Sequence, residues 1–551
     1  MAQDRWDFAI IVASPARPTV LVIEAGGDNA DIDGRVDGFK YVQQANPDKN
    51  WQDTTVPQKH LNGRTLSLAR GRGLGGGSAI NFSSWVIGPR DDYDHIAKLV
   101  QDDGWKWDKV KTRYKQLEKY HPTGIYKHRL KARCEDHGYE GDLQVGFPET
   151  VEAELYDLVD AAVDAGIPIC ADQNSGEPIG IAISASTARK GRRVMASDLL
   201  EPKPENLTIW TKTTVSQIIF DGSRANGVLL SDGREIFVRK EVILCAGPLA
   251  DPKILMHSGI GPKETMQRFQ IPVVQLNENV GQHLNDHQLA VFSWARSDTS
   301  SERLAWFRDS QRRAAARKQW EEEDGTGPLA HVGTSIALAY PKLDRIIESD
   351  EFAALDKETQ ALLKLETVPH WEFALGVPSL EYHFDPANAS TMLSIFTFLL
   401  NEQSKGSVTI RSADPNDAVV VDCNFFSHPF DRRMAIEVTR DLLGLVRSPG
   451  FAKDTVGDIA VPRSESDEDV LDFWRSHSFS GSHMMGTCTM GIAEKSAVVD
   501  KDFRVFGVEK LRVCSTSVLP LLPNCHLQST SYLVGLMLSD KLISHHSLGQ
   551  A

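Results

Sequence analysis

The alternation of apolar and polar positions divides the chain into recognisable stretches. In "WDFAIIVASPARPTVLVIEAGG" (6–27) the apolar runs predict a strand over Phe8–Val12 and a second over Thr19–Ile23. Between them stand only six residues, Ala13–Pro18, two of them proline. "SLARGRGLGGGSAINFSSWVIG" (67–88) is a glycine-rich turn, and "GWKWDKVKTRYKQLEKYH" (104–121) has helical spacing with its charges on one face. "EAELYDLVDAAVDAGIPI" (152–169) predicts a helix stopped at Gly166. The clearest β stretch is 206–247, where Asp-Gly pairs at 221–222 and 232–233 punctuate β-branched runs and predict hairpins. From about 300 to 365 the chain is charged and helical around "RRAAARKQWEEED", the pattern of a solvated face. "GSVTIRSADPNDAVVVDCNFF" (406–426) returns to β, and no internal repeat is visible.

A length of 551 residues exceeds one ordinary core and predicts two or more domains. Composition is that of a globular protein, 41% hydrophobic and 25% charged. The net charge of −15 and the lack of a basic cluster argue against nucleic acid as a partner. The cysteines at 134, 170, 245, 423, 488, 514 and 525 are odd in number and scattered, with no CxxC. Neither a disulfide scaffold nor a metal site is predicted. A reduced, cytoplasmic setting follows, since "MAQDRWDFAI" lacks the apolar core of a signal peptide and no run is long enough to span a membrane. The sequons at Asn81, Asn206 and Asn388 carry no weight in that setting, and "SLGQA" is not a peroxisomal address.

Several stretches carry chemistry. The opening resembles a dinucleotide-binding βαβ unit with its middle removed. Neighbouring parallel strands need a crossover of roughly a dozen residues or more, usually a helix. Six residues leave no helix N-terminus and no bare glycine backbone for a pyrophosphate. Glu24 nevertheless ends the second strand where an acid can accept from a ribose hydroxyl. In "RGRGLGGGSAIN" (70–81) the glycines permit close backbone approach to a ligand, and Ser78 and Asn81 can donate to its oxygens. "VILCAGPLADPKILMHSGIGP" (242–262) runs from strand through a glycine turn at Gly247 into a helix. His483 precedes a Gly-Thr-Cys turn, and His526 follows a proline-rich loop ahead of an apolar helix. Such a pair can serve as base and hydrogen-bond partner to an alcohol.

The order and spacing of these stretches resemble the glucose-methanol-choline (GMC) oxidoreductases. "NWQDTTVPQKHLNGRTLSLARGRGLGGGSAIN" and "GPLADPKILMHSGIGP" are similar to the two signature regions. "NVGQHLNDH", "SKGSVTIRSADP", "SHMMGTCTMG" and "LRVCSTSVLPLLPNCH" resemble further blocks, while 290–400 matches only loosely. The resemblance implies an α/β fold: a discontinuous, doubly wound FAD-binding domain (1–120, 166–288 and 479–551, its first βαβ truncated), and a substrate domain with an antiparallel sheet and helices (121–165 and 289–478). It implies FAD as cofactor, a small-molecule alcohol as substrate, and oxygen or a quinone as electron acceptor. His483 matches the active-site base and His526 the second polar position. Gly76, Ser78 and Asn81 match the loop along the flavin and pyrophosphate, and Glu24 the adenosine-ribose acid. Val215 matches the residue whose backbone meets the adenine, and Gln528 the flavin-facing polar residue. Ser515 stands where relatives usually carry an aspartate near the flavin, and Gly77 where serine is common. Judged against the minimum crossover, about fifteen residues are missing from the opening. The clean flanks suggest a lost exon or splice variant, and weak FAD binding is expected. Two alternatives to alcohol oxidation remain: a non-redox lyase or cyclase of the same ancestry, and an inactive truncated isoform.

Overall fold

The computed structural model describes residues 5–9, 18–36, 40–122, 134–147, 151, 153–297, 309–330, 336–376 and 392–548. Two seven-stranded sheets organise them. In chain order their strands are β1 (Arg5–Ala9), β2 (Val20–Ile23), β3 (Gly180–Ile183), β4 (Leu207–Trp210), β5 (Val215–Asp221), β6 (Arg224–Leu230) and β7 (Glu235–Leu244). The series continues with β8 (Gln288–Arg296), β9 (Ala337–Tyr340), β10 (Trp371–Leu375), β11 (Met392–Leu399), β12 (Thr455–Ala460), β13 (Ser478–Ser480) and β14 (Leu511–Val513).

The first sheet runs β4-β2-β1-β7-β6-β5, with β14 also on β7. The two Asp-Gly hairpins form as the sequence predicts, and Gly222 (φ 60°) and Gly233 (φ 86°) take the left-handed backbone those turns require. Long β7 is shared: Glu235–Phe237 pairs antiparallel with β6, and Val242–Leu244 pairs parallel with β14. Its other edge carries β1, parallel.

The described part of the first strand is Arg5–Ala9, which overlaps the predicted Phe8–Val12 at Phe8 and Ala9; residues 10–17, which include the rest of that strand and most of the predicted interruption, lie outside the described residues. β1 and β2 are adjacent and parallel, yet they overlap at only two pairs, Phe8↔Val20 and Ala9↔Leu21. The described end of β1 and start of β2 are therefore offset by about one strand residue, roughly 3.3 Å.

The second sheet runs β12-β8-β11-β10-β9-β3, with β13 also on β8, and the pairings within it are antiparallel. Its edge strand β3, Gly180–Ile183, falls within the stretch that the sequence assigns to the FAD-binding domain, but pairs with β9 here. Strands β10 and β11 are buried on both faces, hence apolar almost throughout. One face, with Phe292, Trp294, Phe373 and Ile395, packs on Phe430, Met434, Phe473 and Trp474 of two helices, Pro429–Val446 and Asp467–His477. The other face, with Leu289, Leu338, Tyr340, Ala374 and Phe398, packs on Val86 and Cys525 from the first half of the fold. Each such side chain contributes about 1.5–3 kcal/mol when fully buried. Among the described residues no helix is long and apolar enough to cross a membrane.

Candidate active site

The face of the second sheet that meets Val86 and Cys525 also carries one acid. Alternation along "WEFAL" sends Trp371, Phe373 and Leu375 to the helical side, so Glu372 points with Ala374 to the other. Glu372 is 1% exposed. Its Oε1 lies 2.7 Å from His526 Nε2, and its Oε2 is buried without a hydrogen-bond partner.

His526 stands just before the apolar helix Gln528–His545. The loop that delivers it is pinned by Asp92, wholly buried on the helix Arg90–Val100. Asp92 Oδ2 accepts from Asn524 N at 2.7 Å, and Oδ1 from Asn524 Nδ2 at 3.1 Å. Burial outweighs these bonds and pushes the Asp92 carboxyl up to about 7.

His483 arrives from the turn after β13. Its backbone N–H donates to Asp286 Oδ1 at 2.7 Å, and Ser480 Oγ donates to the other carboxylate oxygen. Gly481 N donates to His287 O at 2.7 Å, and a Cβ on Gly481 would lie 2.7 Å from that same oxygen, so the close approach requires glycine. This interlock sets His483 Nδ1 3.0 Å from His287 Nδ1.

The two histidines singled out in the sequence therefore meet. Their ring centroids are 5.0 Å apart at an interplanar angle of 41°, and the Phe398 ring lies 6.0 Å from His483 and 5.7 Å from His526. Burial, then the neighbouring His526 and His287, hold His483 well below the usual imidazole range. Burial takes His287 down to about 3. With Nδ1 of His483 and Nε2 of His526 engaged, His483 Nε2 and His526 Nδ1 remain for a ligand.

The cofactor-side residues predicted from sequence are placed as follows. Glu24 Oε1 accepts from Gly26 N at 2.7 Å and Gly73 N at 2.9 Å, tying the end of β2 to the glycine-rich loop. Thr213 N donates to Glu24 O, which brings Val215, at the start of edge strand β5, close to that acid. Gly76 opens a 3-10 turn. Ser78 and Asn81 differ from expectation in that their side chains already serve the protein. Ser78 Oγ donates to Gly75 O and accepts from Ala196 N, and Asn81 Oδ1 accepts from Arg193 Nη1 at 2.6 Å. Ser515 Oγ donates to Asp251 Oδ2 at 2.6 Å, on the neighbouring helix Ala250–His257. Burial pushes Asp251 up to about 6. Gln528 Nε2 donates to Thr187 Oγ1 at 3.0 Å, leaving Oε1 buried and unpartnered.

The described residues fit FAD. A Cβ built on Gly27, Gly76, Gly77 or Gly247 would meet nothing within 4 Å, leaving room along the backbone for a ligand. Gln528 Oε1 and Arg72 Nε are buried polar atoms without protein partners. The expected lack of the usual phosphate-binding helix falls on residues 10–17, outside the described residues. Elsewhere among the described residues, Glu241, His545 and His546 are metal-ligand types lying close together, but Arg512 Nη2 already donates to Glu241 at 2.9 Å.

Sequence reasoning missed Glu372, His287, Asp286 and Asp92. His287 closes the block "NVGQHLNDH", whose last two residues could have been marked as chemistry-bearing. A single carboxylate inside the apolar run "WEFAL" was the available signal for Glu372.

The chain matches GMC oxidoreductase sequences over residues 11–289 and again over 402–535. It is 30% identical to the glucose methanol choline oxidoreductase atC of Aspergillus terreus, across 97% of this chain and 89% of that protein. It is 29% identical to oxygen-dependent choline dehydrogenase 1 of Chromohalobacter salexigens, across 95% and 90%. Among solved structures, a formate oxidase of Aspergillus oryzae RIB40, studied for modification of its FAD, superposes with a TM-score of 0.87 at 25% identity, covering 98% of this chain and 99% of that one.

Proposed function

Because the chain belongs to the GMC oxidoreductase family, whose cofactor is FAD, we propose that it oxidises a small alcohol to a carbonyl with His483 and His526 receiving the hydroxyl proton. The single observation behind this reading is the 5.0 Å approach of the two rings, one of them backed by a buried carboxylate. FAD, when bound, supplies the hydride acceptor. Gly76, Gly77, Gly247 and Gln528 would hold it, with Glu24 and Val215 toward its adenosine.

The protein's own part is proton management. For His483 to accept at Nε2, its Nδ1 must carry hydrogen and donate to His287 Nδ1. The depressed basicity of His483 keeps it neutral through the neutral pH range, hence ready to accept. A positive charge on His483 would face two further imidazoles, whereas one on His526 faces Glu372 at 2.7 Å. The proton taken from the alcohol therefore comes to rest on the His526–Glu372 side. Phe398 and the apolar sheet face exclude water from the exchange.

A second reading rests on the short β1–β2 connection. With fewer donors for the pyrophosphate, each worth about 1.5–3 kcal/mol to a charged group, the chain holds FAD weakly and works only at high cofactor concentration. Incubation with FAD and a panel of alcohols, anaerobically, with and without an artificial electron acceptor, tests the function. Carbonyl product matching the acceptor reduced is expected. Product formed without acceptor would indicate a lyase or cyclase instead, and no product with any alcohol at saturating FAD would remove the reading.

A further inference from the structure

The carboxyl ends of β7 and β14 bring two cysteines side by side. Val242↔Leu511, Ile243↔Arg512 and Leu244↔Val513 pair in parallel register, and Cys514 N donates to Leu244 O at 2.7 Å. One step further along both strands stand Cys245 and Cys514. Residues opposite one another share a sheet face on strands about 4.8 Å apart, inside the roughly 4.4–6.8 Å Cα spacing that a disulfide spans. Cys514 is buried, its Sγ 3.8 Å from Val534 O, while Cys245 is exposed. The other free cysteines among the described residues, Cys170, Cys423, Cys488 and Cys525, are all buried. An accessible thiol with a second thiol behind it is the arrangement in which an oxidised sulfur is captured as a disulfide.

We propose that Cys245 and Cys514 are joined as a disulfide by hydrogen peroxide, clasping the ends of the two strands that lead into Gly247 and Ser515. The Cys245 sulfur attacks one peroxide oxygen; the O–O bond breaks, an S–O bond forms, and one water leaves. The Cys514 sulfur then attacks the Cys245 sulfenic acid; the S–O bond breaks, the S–S bond forms, and a second water leaves. Two thiols lose two electrons and two protons, and the peroxide is reduced to two waters. The adjoining Cys514 raises Cys245 above the ordinary thiol range. Oxidation is accordingly slow near neutrality and accelerates as rising pH generates thiolate.

The test treats the full-length reduced protein with hydrogen peroxide, alkylates the remaining thiols and maps the peptides by mass spectrometry. The expected result is joint loss of alkylation at Cys245 and Cys514 in the wild type and a cross-linked peptide containing both, reversed by dithiothreitol. In C514S, Cys245 should instead proceed to sulfinic acid. Cys245 and Cys514 both still alkylated in the wild type, or Cys245 carrying oxygen with no cross-link, would overturn the proposal.

Discussion

His137 sits wholly buried between two carboxylates, its Nδ1 3.0 Å from Glu118 Oε2 and its Nε2 3.0 Å from Asp172 Oδ2, with its ring stacked on Tyr120. Burial lowers its basicity, but the bonds to Asp172 and Glu118 outweigh burial and carry it from 6.5 up to about 9. The same acids tie into the segment Trp85–Ile87. Glu118 accepts from Trp85 Nε1 at 2.7 Å, Asp172 accepts from Asn174 N, and Asn174 bonds both Trp85 O and Ile87 N, beside the Val86 that faces Cys525. A folded-state value above the unfolded one means the protonated form stabilises the fold. That stabilisation is complete below about pH 6.5 and vanishes as pH rises through about 9. Some 2.5 pH units at about 1.36 kcal/mol each amount to about 3 kcal/mol. Asp172→Asn keeps the shape but removes one of the two charges, so the pH-dependent part should fall to about half, ~1.5 kcal/mol. Thermal or urea unfolding of both proteins at pH 6, 7.5 and 9 checks this. The stability gap should be largest at pH 6 and nearly closed at pH 9. A gap that is constant or widens with pH would refute the imidazolium between the acids.

Asp92, pushed up to about 7, is protonated when folded and ionised when unfolded between about pH 4 and 7, so its contribution is lost as pH rises through that window. Asp92→Asn should flatten the dependence there, seen as a smaller loss of melting temperature between pH 4.5 and 7.5. Inserting a glycine-rich turn and helix of about fifteen residues between Ala9 and Val20 should tighten FAD binding by at least tenfold, since one charge-assisted bond is worth about 1.5–3 kcal/mol. Flavin fluorescence titration would show it, and equal affinity would mean the short connection costs nothing.

Local pattern made part of this molecule readable and left another part hidden. The Asp-Gly hairpins, the glycine-rich loop and the helix ahead of which His526 stands are set by neighbours in sequence, and each appears where the pattern places it. Glu372 and His287 acquire meaning only through partners 154 and 196 residues away. Strand order in the second sheet depends on such distant pairing too, as where Gly180–Ile183 pairs with Ala337–Tyr340. At the opening, counting residues could not foresee a two-pair overlap of β1 and β2. Ser515 likewise is understood only with its partner Asp251, 264 residues away in the chain.

The central claim is that His483 and His526, with Glu372 behind, take the proton as the alcohol is oxidised. The most direct measurement is the rate of flavin bleaching on anaerobic mixing with alcohol at saturating FAD, for wild type, His483→Ala, His526→Ala and Glu372→Gln. Loss of a positioned base costs about 10²–10⁴-fold, so both histidine variants should slow by at least a hundredfold. Glu372→Gln should slow by about tenfold or more. Bleaching at wild-type rate in either histidine variant would contradict the account.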